Sequence, residues 1–73
     1  MHVKEDMTVE VYDYVRADTL EDGDNITYNN DVLENITVLD ETDTIMVSGF
    51  SHVKDEKSTY FLTPDTEVGL WTI

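Results

Sequence analysis

The sequence has no cysteine, which excludes a disulfide framework and any thiolate metal or redox site. One proline and three glycines are too few for a flexible linker or a low-complexity segment. No apolar run reaches the length of a signal peptide or a membrane span, and the charged start Met1–Asp6 is expected to fray. These absences point to a cytoplasmic chain forming one small domain, residues 1–73. Positive charge is the scarcest commodity. Four Lys and Arg face seventeen Asp and Glu, a formal charge of −13. Between Ala17 and Val53 there is no Lys or Arg, yet that stretch carries nine carboxylates: Asp18, Glu21, Asp22, Asp24, Asp31, Glu34, Asp40, Glu41 and Asp43.

Charge of one sign costs a compact state stability through self-repulsion, so such a balance normally reflects a partner or a solvent. A polyanion repels nucleic acid and anionic membranes, and attracts basic proteins and cations. A compact chain of this length has a diameter of roughly 29 Å. Duplex DNA carries one charge per ~1.7 Å of axis, so thirteen charges equal roughly 22 Å of duplex.

What is present is β-branched and aromatic. Hydrophobic residues make up 40% of the chain and recur along its whole length, unlike a disordered acidic tail. The prevailing period is two, which predicts strands. Met7, Val9, Val11 and Val15 are assigned to one face of a first strand, with Tyr12 and Tyr14 on the other. Leu20-Glu21-Asp22-Gly23-Asp24 reads as a turn in which Gly23 supplies a positive φ. A second strand spans Asn25–Tyr28, and Asn29-Asn30 is a tight hairpin turn. A third runs from Val32 to Leu39; a short helix competes there, but Asn35, Thr37 and Val38 disfavour it. Further strands are expected over Thr44–Ser51, Ser58–Leu62 and Val68–Ile73, the last pairing with the first. Asp40–Asp43, Lys54–Lys57 and Thr63–Thr66 are the turns between them, the last with room for a 3₁₀ turn. The expected core is Val9, Val11, Ile26, Ile36, Val38, Ile45, Val47, Leu62, Val68 and Leu70. The fold class is therefore all-β: a small SH3-like barrel or a curled antiparallel sheet of five to six short strands.

Catalytic and metal chemistry find little support. His2 and His52 are the only histidines, and a Ser next to a His, as in Ser51-His52, does not make a triad. Asp18, Asp22, Asp24 and Gly23 fall at calcium-loop positions, but Leu20 and Asn29 stand where that loop needs an oxygen ligand and a bidentate Glu. No enzyme, cofactor or metal site is expected. The sequons at Asn25 and Asn35 are read as chance.

The layout Leu20-Glu21-Asp22-Gly23-Asp24-x-Ile26, then strands, then Pro64-Asp65-x-x-Val68, resembles SH3-like small barrels from Ala17 to Ile73, a resemblance that implies a fold and no activity. The acidic stretch itself has three readings. It is a solvated surface, an adaptation to high salt, or an electrostatic mimic of nucleic acid. A single Ala, with Asn and Ile retained, speaks against the second. Size, acidity, absence of Cys and β character together resemble phage-encoded DNA-mimic inhibitors, one group of which occupies, as a dimer, the DNA-binding saddle of the histone-like HU protein. That resemblance implies a protein that binds a basic host DNA-binding protein and blocks its DNA binding. The nine carboxylates of Asp18–Asp43 would pair with its Lys and Arg. A homodimer formed by edge-strand pairing is expected, with the acidic turns outside the contact. The alternative is an SH3-like interaction or assembly module whose acidity only aids solubility.

Overall fold

A computed structural model describes residues 9–72; the expected fraying of residues 1–6 and the place of Met7 lie outside them. Six strands form one antiparallel sheet: β1 (Glu10–Arg16), β2 (Ile26–Tyr28), β3 (Asp31–Glu41), β4 (Thr44–Ser51), β5 (Glu56–Leu62) and β6 (Glu67–Thr72). Their order is β1-β6-β2-β3-β4-β5. The sheet is curled and not closed into a barrel. β1 and β5 are its two edges. The last strand pairs with the first, and β6 is shared with β2.

Turn chemistry sets the connections. Asn29 and Asn30 both have positive φ, 54° and 64°, as a two-residue hairpin between Tyr28 and Asp31 demands. Gly23, at φ +96°, lets Glu21–Asp24 fold back on β3, where the Gly23 N–H donates to Ile36 O at 2.8 Å and the Ile36 N–H to Asp24 O at 3.0 Å. The short 3₁₀ turn falls at Ala17–Thr19 rather than at Thr63–Thr66. There its Ala17 and Asp18 N–H groups bond to Thr66 O and Pro64 O, tying the end of β1 to the β5–β6 turn. Residues 32–39 are strand, and no helix forms.

Two bulges change which residues share a face. Between Val11 and Asp13 the β1–β6 register slips. Val15 then pairs with Val68 on the core side, while Val11 pairs with Trp71 and Tyr14 with Gly69 on the other. Val11 and Tyr14 both approach Gly69 there, so Val11 and Val15 do not share a face as period two implies. In β3 the slip lies between Glu34 and Thr37. Asn35 takes φ 56° and its N–H donates to Asn25 Oδ1. Leu33 and Ile36, three apart, thus both point inward.

The core is Ala17, Leu20, Ile26, Leu33, Ile36, Ile45, Val47, Leu62 and Val68, with Val15, Tyr28, Val38, Tyr60 and Leu70 packed against it. Val9 and Val11 are only half-buried. Trp71, 2% exposed, is buried on the other face of the sheet, and its indole N–H reaches both Ile26 O (3.0 Å) and Leu33 O (3.2 Å). One side chain therefore joins β6 to the β2–β3 pair from outside the core.

Candidate protein-binding surface

The nine carboxylates fall into two groups. Three are held by neighbours. Asp18 takes both Arg16 guanidinium contacts, at 3.2 and 2.8 Å, and its hydrogen bond with Arg16 lowers the Asp18 pKa and raises that of Arg16. Glu34 bonds the His52 imidazole at 2.5 Å. His52 is not a freely solvated surface residue, because its ring lies edge-on to Phe50 (5.0 Å) and Trp71 (6.1 Å).

Asp31 is 2% exposed. Its carboxylate accepts Ser51 Oγ–H at 2.5 Å, Tyr60 Oη–H at 2.6 Å and the Val32 N–H at 2.9 Å. Lys54 Nζ stands 3.5 Å away and also donates to Tyr60 Oη. Burial pushes the Asp31 carboxyl up, but the Ser51, Tyr60 and Val32 hydrogen bonds, with the Lys54 charge, hold it below its ordinary value. This acid ties the start of β3 to β4, β5 and the turn at 52–55. It presents nothing to a partner. Adjacent in sequence, Ser51 and His52 take different partners: the Ser51 hydroxyl is fully buried and donates to Asp31, while His52 bonds Glu34.

The other six gather. Glu21–Asp24 runs along β3 at Ile36–Val38, and Asp40, Glu41 and Asp43 follow at the β3–β4 tip. Asp22 and Asp24 have structural duties as well. Asp22 Oδ1 accepts the Val38 N–H at 2.8 Å and Asp24 Oδ2 the Glu21 N–H at 3.0 Å. They are therefore not plain solvated turn acids, although each keeps a second oxygen. Glu21, Asp40, Glu41 and Asp43 are exposed. No Lys or Arg lies in the chain between them.

Beside the tip, on the face of the sheet turned away from the core, Leu39, Met46 and Phe61 are cross-strand neighbours on β3, β4 and β5. Leu39 is 46% and Phe61 70% exposed. With Glu41, Thr42 and Thr44 they line a shallow depression of about 370 Å³. Period-two reading assigns Met46 and Phe50 to one face but does not align Leu39 and Phe61 with them, because that needs the registers of the β3–β4 and β4–β5 hairpins.

Among the described residues, no group of three or more His, Asp or Glu is placed to hold a metal ion, and no helix is long and apolar enough to cross a membrane. No protein-family model, curated protein or solved structure matches this chain.

Proposed function

We propose that this protein is an acidic binding protein that docks on a basic, nucleic-acid-binding surface of another protein and competes with the nucleic acid for it. What supports the reading is the collection of Glu21, Asp22, Asp24, Asp40, Glu41 and Asp43 along one margin of β3 and its tip, with no base interspersed, on a folded sheet. Exposed carboxylates gathered on a folded surface offer Lys and Arg charge-assisted hydrogen bonds and the counterion release that phosphates offer. Asp18, Asp31 and Glu34, engaged within the protein, are not part of this surface. Pairing of two copies through an open sheet edge extends it, and sedimentation at micromolar concentration tests that association.

The experiment is displacement of duplex DNA from a histone-like nucleoid protein, followed over a salt series. Wild type is expected to displace DNA, with affinity falling steeply as salt rises. The test variant is Asp40→Lys/Glu41→Lys/Asp43→Asn. Asn is chosen at 43 because that residue sits at φ 58°, which Asn tolerates and Lys does not. It should lose displacement while melting like wild type. A wild type that displaces DNA from no nucleoid protein and binds none in a salt-sensitive way overturns the reading. The assembly-module reading then takes its place, favoured by the exposed Leu39–Met46–Phe61 row.

A further inference from the structure

Charge alone does not account for the tip. Successive rows cross the outward face of β3-β4-β5, ~6.7 Å apart along the strands: Leu39–Met46–Phe61, then Thr37–Ser48–Thr59, then Glu34–Phe50–Lys57. In the middle row the Ser48 and Thr59 hydroxyls bond each other at 2.8 Å. The first row is apolar across three strands, about 10 Å wide at the usual strand spacing, and its two ends are open to water. Its next neighbours toward the tip are Glu41, Thr42 and Thr44, with Asp43 adjoining in the turn, whereas Asp40 pairs with the core residue Ile45 and lies on the opposite face. The only cation on this face, among the described residues, is Lys57, two rows away.

Apolar contact area bordered on one side by charge of one sign has the anatomy of a protein-binding site, in which a desolvated centre supplies affinity and the charged margin selects the partner. The sign of the margin decides among occupants. A second copy related by a two-fold axis sets Glu41 and Asp43 against their equivalents, and an anionic lipid surface meets the same repulsion. A cationic protein segment is attracted.

We infer that the Leu39–Met46–Phe61 row seats an apolar side chain of the partner, flanked by Lys or Arg that reach Glu41 and Asp43. The partner's footprint is thus a basic surface that carries an exposed aliphatic or aromatic residue, not a uniform phosphate-binding stripe. This inference rests on the basic-partner reading and narrows it.

Two labelled peptides test it by fluorescence anisotropy: oligolysine, and the same peptide with its two central lysines replaced by leucine. Pure electrostatics makes the leucine peptide the weaker ligand, since it has two charges fewer. The apolar row reverses that order, and the leucine peptide is expected to bind about tenfold tighter, the worth of one partly buried leucine. The Leu39→Thr/Phe61→Thr variant should erase the advantage and leave oligolysine binding unchanged. Threonine keeps strand propensity, and a melting curve checks the fold. A leucine peptide that binds no better than oligolysine overturns the inference while leaving the electrostatic reading standing. So does an advantage that survives in the double variant. If neither peptide binds at low salt, the basic-partner reading falls and the inference with it.

Discussion

At the start of β3 a carboxylate is taken out of water, given three hydrogen bonds and set beside an ammonium group; at its end, Asp40 and Glu41 stand in solvent with Asp43 next to them. The two ends use the same functional group for opposite purposes. Asp31 is charged because its surroundings were built around the charge, and its cost of burial is offset only while every donor is in place. The tip acids are charged because water solvates them. Nothing in the described fold rewards their charge, and mutual repulsion taxes it. Charge that the fold uses is structural; charge that the fold merely tolerates is available to something else.

The comparison can be broken most forcefully at Asp31. Asp31→Ala strands the Ser51 and Tyr60 hydroxyls and leaves Lys54 without its counter-charge. A loss of about 2–4 kcal/mol is expected, a drop in melting temperature of roughly 10–20 °C. The pH dependence sharpens the point. Because the folded-state pKa of Asp31 is lowered, its contribution is fully present above the unfolded-chain value of about 3.9 and is lost as pH falls through the folded value. Urea titrations between pH 5 and pH 2 should show wild type losing more stability than Asp31→Asn, which has no such proton to take up.

Next in size is Gly49→Ala, under the β3 bulge. Its new Cβ would meet Ile36 Cγ2 at 2.9 Å and Glu34 O at 3.0 Å, and chemical denaturation should report about 1–3 kcal/mol of overpacking. Asp22→Ala comes third. It removes the carboxylate that caps the Val38 N–H, and about 1 kcal/mol should go with it. Smallest is the tip. Asp40→Lys with Glu41→Lys should shift stability by less than about 0.5 kcal/mol, and toward greater stability at low salt, where self-repulsion is least screened. A tip reversal that unfolds the domain would erase the distinction between the two ends.

The succession of strands along the chain, the Asn29-Asn30 hairpin, Gly23 and the β1–β6 pairing are legible in the sequence, because turn residues and period-two patterning act locally; the β2–β6 pairing that completes the sheet order is not. The inward Asp31 is not. An Asp after Asn-Asn looks like turn chemistry, and its two hydroxyl donors come from β4 and β5, far along the chain. Leu33 escapes for a different reason. A bulge at Asn35 shifts the parity of β3, so alternation counted from Ile36 and Val38 sends Leu33 to the wrong face. The bulge in β1 misplaces Val11 in the same way, and Trp71 is buried on a face that period two reads as solvent. Of the candidate surface, the excess of acid is plain from composition. Which six acids gather, and which three are spent internally, depends on contacts between strands.

Trp71 has a consequence for the order of assembly. The β3-β4-β5 meander is made of neighbours in sequence, joined by short turns, and closes few long loops. β2 pairs on one side with its neighbour β3 and on the other with β6, and the indole bridges that junction only once all three strands are in place. The tip therefore belongs to the half of the sheet that can form early, while β1 and β6 wait on contacts between distant parts of the chain. Such non-local closure is slow, on the scale of milliseconds to seconds. The emission of the sole tryptophan should record that last step, lagging behind the appearance of strand signal in the far ultraviolet.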